Sequence, residues 1–493
     1  MEAFILNKTK KFILLLFSFV VITFCFASCT HNHSYGESVT TKPSCFTDGA
    51  TYYICSTCGN VSYESYVKAT GHILGEWENN IRFLNSSATC EVCGLTQTRS
   101  EYTAPNDIPQ LFFYGEPRGV EIPIKLIYTD KNGNSQEHVG TTKYDSNSEN
   151  LYYKRDYDFL VYDSEGFENT VLFDDVLGHN SRYTLKAEYI DKSYIRNLAL
   201  SDVWADVVKT RKKLDSNISK LKYFGAEKGI PVLFYTNDNF KGIYTLCTPN
   251  DEILFDVKNE ETQALIYTYT DFSTFDFKYQ NGNLSEVPCT IIWPKDDALK
   301  DKTKENFKEF CFFVNTSDDK TFKSRITRYL DVNAAIDYLI CVYAFGADEN
   351  ALEYCNWVTY DGLKWIPSMY NLTYTLGLDS DHNSFTPEQS CIPQIDENGS
   401  FVSGTGSYLF DRILNLYHDE IVDRYNKLRL NALSDKNVSE KLNYYSSLIS
   451  AEVDKAENDE YPEKKYFSTI DSVQDIINWY TQKTDILDDC LKK

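Results

Sequence analysis

Residues 356–377 constrain this chain most tightly. They read Asn-Trp-Val-Thr-Tyr, then Asp361-Gly362, then Leu-Lys-Trp-Ile, then Pro367-Ser-Met-Tyr-Asn-Leu-Thr-Tyr-Thr-Leu-Gly377. An Asp-Gly pair between two runs of β-branched and aromatic residues is a strong hairpin signal, because both centres of a tight two-residue turn need positive φ. The expectation is a turn at 361–362 whose second strand feeds residues 369–373 into a short loop closed by Gly377. A helix is expected just before it. Asp331 is a natural N-cap, Val332, Ala335, Ile336, Leu339, Ile340 and Tyr343 recur on one face, and Gly346 ends the run. A hairpin next to such a helix implies a mixed strand-and-helix domain.

The rest of the main region follows the same logic. Segments 111–114 and 120–128 read as strands, with a turn at 131–134. Segment 183–197 reads as a strand carrying Lys186, followed by a helix capped by Asp191 and running to about Leu214. Its face is Ile195, Ala199, Val203 and Val207. Residues 229–246 read as strand, turn and strand. Beyond Gly404 the pattern is helical, over 408–432, 442–456 and 470–487.

Several of these stretches share a resemblance. TYDGLKWIPSMYNLTYTLGL at 359–378 resembles the segment that spore coat protein H (CotH) kinase-family proteins write as TYDGKKWIPSMYDLDSTFGL. Residues 183–197 resemble the family's KYVLKANWIDKTHARN, and residues 143–157 its KYQGTSSLAYPKKNY. The likeness spans roughly 107–490. It implies an α+β fold: a two-lobed, protein-kinase-like domain over 105–493, with a mixed β N-lobe to about 255 and a helical C-lobe beyond.

It also implies site residues. Lys186, on a strand before a helix, matches the lysine that holds nucleotide phosphates, and Lys154 and Arg155 match a basic pair beside a glycine loop. The two loop carboxylates that hold magnesium in the family are here Asn371 and Thr373. Ser146 replaces the loop glycine, and Glu349 falls where an acid-amide run supplies the catalytic base, only Asn350 matching. Asp379 and Asp381 lie downstream as substitute carboxylates. ATP and magnesium are expected only if the site functions.

The N-terminus addresses the chain outward. Lys8, Lys10 and Lys11 precede an apolar run over 12–26, then Ala27-Ser28-Cys29. This is a signal peptide over 1–28 ending in a lipobox-like site, with Cys29 as the lipidated residue of a bacterial surface lipoprotein. No other run approaches the roughly 20 apolar residues of a membrane-spanning helix. A net charge of −23 argues against a nucleic-acid partner, and the membrane contact would be made by the lipid.

The 14 cysteines are unevenly spread, and five fall between residues 45 and 93 in an imperfect repeat. His33-Ser-Tyr-Gly-Glu echoes His72-Ile-Leu-Gly-Glu, and Cys55-Ser-Thr-Cys-Gly echoes Cys90-Glu-Val-Cys-Gly. Cys-x-x-Cys-Gly is a zinc-knuckle shape, so residues 29–100 read as small zinc-ribbon-like modules. The expected first ligand set is His33, Cys45, Cys55 and Cys58. The second, His72, Cys90 and Cys93, lacks a fourth ligand. Modules with so few apolar residues need a staple, either structural zinc or disulfides.

Two functions remain open. One is an ATP-dependent protein kinase; the other is a pseudokinase serving as a binding or scaffolding surface for an unidentified protein. Loss of charge at the metal positions, with Ser146 and Glu349 drifting too, favours the second, as does the scarcity of ATP outside cells. Unrelated hydrolase chemistry finds no motif, with neither a Gly-x-Ser-x-Gly elbow nor a His-Glu-x-x-His helix in the chain.

Overall fold

The computed structural model describes residues 31–105, 108–144, 153–268, 289–395, 401–463 and 468–491. Cys29 and Ser146 lie outside these. The chain divides into two compact units, one of residues 1–80 and 84–102, the other of 81–83 and 103–493.

The smaller unit repeats one motif. Strands β1 (Val39–Thr41), β2 (Gly49–Ile54) and β3 (Val61–Val67) form an antiparallel sheet, and β4 (Glu78–Asn80), β5 (Asn85–Thr89) and β6 (Thr96–Arg99) form another. In each, the Cys-x-x-Cys-Gly turn joins the second strand to the third. Gly59 and Gly94 sit at φ +71 and +73 and donate to the carbonyls of Cys55 and Cys90, each at 2.9 Å. That left-handed conformation is why both turns end in glycine.

The larger unit begins with a closed barrel. Its strands are β7 (Gln110–Tyr114), β8 (Ile122–Thr129), β9 (Ser135–Tyr144) and β10 (Tyr157–Tyr162). After a short pair, β11 (Val171–Leu172) and β12 (His179–Asn180), come β13 (Arg182–Lys186), β14 (Gly229–Thr236) and β15 (Asn239–Cys247). The barrel order is β10-β13-β15-β14-β7-β8-β9, with β9 returning to β10; only β7 and β14 run parallel. Alternate residues fill its interior, among them Phe113, Leu126, Phe159, Tyr183 and Phe234, and form one hydrophobic core. The strands agree with expectation, whereas their closure into a barrel is a feature of long-range pairing that the alternation alone does not specify.

A second, larger core holds the helices and a four-stranded antiparallel sheet. Helix α1 (Arg196–Lys209) follows β13. The sheet comprises β16 (Ala264–Thr268), β17 (Cys289–Trp293), β18 (Cys355–Thr359) and β19 (Ile366–Met369), in the order β17-β16-β18-β19. The other helices are α2 (Asp297–Thr316), α3 (Asp319–Arg325), α4 (Val332–Phe345), α5 (Asp348–Leu352), α6 (Tyr408–Leu416), α7 (His418–Arg429), α8 (Asp435–Ser447), α9 (Ala451–Glu460) and α10 (Val473–Leu491). Helix α4 is capped as expected: Ala334 N–H donates to Asp331 at 3.0 Å, and Gly346 ends it at φ +57.

Four local expectations change. The 356–366 hairpin has no two-residue turn; Val358 pairs with Ile366, and residues 360–365 join the strands. The Asp361 carboxylate instead accepts from Leu363 and Lys364 N–H at 2.9 and 2.8 Å. Trp365 leaves the strand to exchange backbone hydrogen bonds with Tyr329 and Asp331, burying its indole against Phe307. Asp191 does not cap α1, which starts five residues later; it accepts from Arg196 N–H and the Arg196 guanidinium. The expected 408–432 helix breaks at Tyr417, and the one over 442–456 is interrupted before Ser450, whose hydroxyl caps α9.

Helix α9 is fastened to the barrel by a buried ion pair. Lys154 Nζ meets Glu457 at 2.9 Å and also donates to the Ile243 carbonyl, while Glu457 accepts from Ile243 N–H at 2.6 Å. Gly242, at φ +110, makes room: a β-carbon there would stand 2.3 Å from the Glu457 carboxylate. Replacing Glu457 by alanine strands an ammonium that has no contact with water. The expected cost is about 3–5 kcal/mol, read as a lower urea midpoint. A loss below about 1 kcal/mol, the range of exposed pairs, would mean the pair is solvated.

Candidate functional site

A cavity of about 380 Å³ is walled by the end of β13, the residues after it, and the loop that follows β19. β13 delivers Lys186, whose ammonium sits 2.7 and 2.8 Å from the two Glu227 oxygens and 4.3 Å from the centre of the Tyr370 ring. Burial alone would lower the lysine's pKa, but the Glu227 carboxylate more than offsets it and holds Lys186 well above its ordinary range. The amine therefore stays charged.

Asn197, in the first turn of α1, ties the walls together. Its amide nitrogen reaches Glu227 at 3.1 Å and Glu188 at 3.4 Å, and its oxygen accepts from Leu372 N–H at 2.9 Å. That last bond fixes the loop. Asn371, at φ +54, and Thr373 then face the cavity. Thr373 Oγ1 donates to Glu188 at 3.1 Å and lies 3.3 Å from Asn371 Oδ1. Glu188 is buried, and burial pushes its carboxyl up to about 7, with Lys186 opposing and Asp191 and Glu227 adding to the rise.

The remaining expected site residues are dispersed. Lys154 reaches the cavity wall, but Glu457 and the Ile243 carbonyl engage its ammonium. The Arg155 guanidinium lies over the Tyr144 ring at 4.3 Å and is no part of the cavity lining. The structure does not bring the two basic groups together in the cavity. Glu349 accepts from Ser380 N–H at 2.9 Å, and burial raises its pKa; it too stands outside the cavity. Asn350 contributes indirectly by donating to the Tyr370 carbonyl at 3.0 Å. Asp379 accepts from Asn383 N–H at 2.7 Å within its own loop, and neither it nor the exposed Asp381 lines the cavity.

Glu188, Glu227, Asn197 and Tyr370 are members that motif reading does not single out. For Glu188 a signal exists: the pattern KYVLKANWIDKTHARN has asparagine at its place.

In the smaller unit two groups of side chains could hold a metal ion. They are His31, His33, Cys55 and Cys58, and Cys45, His72, Cys90 and Cys93, with each group's ligand atoms within 4.8 Å of one another. The expected partition is corrected here. Cys45 belongs to the second set, which is thereby complete, and His31 takes its place in the first.

The model of the CotH kinase protein family matches residues 141–487, well over half of the chain. The chain belongs to the CotH kinase family. No curated protein matches it. The family match contains every residue of the cavity, while the Cys/His unit lies before it.

As a CotH domain, the site departs from a magnesium centre at one point. The loop expected to present carboxylates presents an amide and a hydroxyl, and Glu188 accepts from that hydroxyl. Magnesium in phosphoryl-transfer sites is held through carboxylates together with substrate oxygens. Asn371 and Thr373 do not supply the carboxylates of a two-magnesium centre.

Glu188 has a consequence for stability. A carboxyl raised in the folded state stabilises fully below its unfolded pKa, near 4.5, and that contribution is lost as pH climbs to about 7. Across that interval the loss approaches about 3 kcal/mol. Glu188→Gln should therefore flatten the decline in melting temperature between pH 5 and pH 8. Parallel curves for wild type and variant would show that Glu188 ionises freely.

Proposed function

We propose that this CotH-family protein is a pseudokinase, a kinase-like domain kept as a binding or scaffolding module, with barrel and helical regions serving as its two lobes. The observation that carries this reading is the loop at 371–373. Asn371 and Thr373 bring no negative charge to the cavity, and the Thr373 hydroxyl is spent on Glu188. Phosphoryl transfer depends on metal charge placed against the β- and γ-phosphates. The Lys186–Glu227 pair, the tyrosine-lined wall and the cavity volume support retention of a ligand site without that charge.

The purified protein should show no magnesium-dependent ATP turnover and no thermal shift with ATP and magnesium. Restoring Asn371→Asp and Thr373→Asp together with Glu188→Asn should recover metal-dependent nucleotide binding. Asparagine and aspartate share tolerance of the left-handed backbone at 371, so the loop can accept the change. The double variant that keeps Glu188 should respond less, because an aspartate at 373 faces a second carboxylate. A ligand at ~100 times its Kd stabilises by about 2.7 kcal/mol, which a melting curve resolves. Strong stabilisation of the wild type, with phosphate passed to an acceptor, would establish the alternative of an active kinase.

The same reading places the protein at the outer face of a bacterial membrane, lipidated at Cys29, with structural zinc in its N-terminal unit. The support is the basic, apolar and small-residue order over residues 8–29, and the two Cys/His groups. Cys29→Ala should move the protein from the membrane fraction to the soluble one. Unchanged processing and membrane retention would remove the anchor.

A further inference from the structure

We propose that the N-terminal unit binds two zinc ions and that the second is held by a ligand from the first repeat, Cys45, so that metal clamps the two repeats together. This rests on the reading of the Cys/His groups as zinc sites.

The repeats are built alike. In the first, Gly36 N–H donates to the Ile54 carbonyl and Ser56 N–H to that of Ser34; in the second, Gly75 donates to Thr89 and Glu91 to Ile73. These bonds lay each His-x-x-Gly-Glu segment beside its own Cys-x-x-Cys turn. Each repeat thus collects three ligands from its own chain: His33, Cys55 and Cys58, or His72, Cys90 and Cys93. A structural zinc site is closed by four. His31 completes the first, its Nε2 lying 3.3 Å from Cys55 Sγ, while Cys58 Sγ is 3.4 Å from His33 Nδ1.

Cys45 completes the second. It stands in the loop between β1 and β2, a turn closed by Ser44 N–H to the Thr47 carbonyl at 2.9 Å. Thr70 N–H, just before His72, donates to the Ser44 carbonyl at 3.0 Å, and the Phe46 ring meets the His72 ring edge-on at 4.7 Å. Cys45 Sγ then lies 3.8 Å from Cys90 Sγ, and His72 Nδ1 3.4 Å from Cys93 Sγ. Zinc with sulfur at about 2.3 Å and nitrogen at about 2.0 Å in tetrahedral angles requires ligand separations of about 3.8 Å and about 3.5 Å. The observed spacings match that geometry, and a disulfide would bring the sulfurs to about 2.05 Å. The first site has two thiolates and two neutral imidazoles, and the second three thiolates and one imidazole. Their spectra therefore differ once cobalt replaces zinc.

The test uses the full chain, with metal counted by native mass spectrometry and release followed with a chelator. Wild type should carry two zinc ions. In Cys45→Ser the first ion should stay, and the second should leave faster. Loss of an outer-shell partner alone weakens zinc binding by about 10–100-fold, and a direct ligand should cost no less. With cobalt, the three-thiolate spectrum should vanish from Cys45→Ser while the two-thiolate spectrum persists. Cys45→His supplies another zinc ligand and should restore two ions, separating ligation from a folding defect. Loss of the two-thiolate spectrum from Cys45→Ser would place Cys45 in the first site and overturn the proposal. So would two ions released at wild-type rates. A wild-type chain with no metal, and two hydrogens lighter per cysteine pair, would instead retire the zinc reading itself.

Discussion

A guanidinium with no access to water must find acceptors for its N–H groups inside the protein. Arg196 does so by gathering three separate parts of the chain. It pairs with Asp191 just ahead of α1, donates to the Thr375 carbonyl in the loop after β19 at 3.0 Å, and reaches the Ile470 carbonyl before α10. Its neighbour Asn197 continues the task from the same helical turn, holding Glu227, Glu188 and Leu372. These adjacent residues set the depth and orientation of the 371–376 loop. The cavity is a product of that buried polar network, and the surrounding apolar packing could not by itself fix a polar loop so closely.

The network explains what was legible in the sequence. Strand and helix periodicities are local, so β13, β14, β15, α1 and α4 could be read from residue order, and the family segments brought Lys186, Asn371 and Thr373 to attention. Contacts between distant segments leave no periodic trace. Glu227 meets Lys186 across 41 residues, and Thr373 meets Glu188 across 185. Lys154 shows the converse. A basic residue beside a phosphate-loop motif reads as a ligand, yet its partner Glu457 lies 303 residues away and makes it a strut. Trp365 likewise obeyed tertiary burial over the local preference for a tight turn.

The cavity's electrostatics follow from one relocation. Two positions where the CotH-like segments quoted above have acids are neutral here, and one where they have an amide holds Glu188. The exchange leaves the Glu188 carboxyl, pushed up to about 7, beside a lysine already paired with Glu227, and Asp156 lines the same cavity. The cavity gains negative charge as Glu188 ionises.

The handover of Cys45 gives the N-terminal unit a direction. The stretch between His72 and Cys90 contains no cysteine, so the second repeat has no thiol to pass onward. The first repeat has no predecessor among the described residues, and His31 occupies the place a borrowed cysteine would take. An array built this way hands its cysteine in one direction only, from each repeat to the next. A copy of the second repeat appended at the trailing end would bring three ligands of its own and find no cysteine to borrow, whereas a copy of the first would be closed by its own histidine.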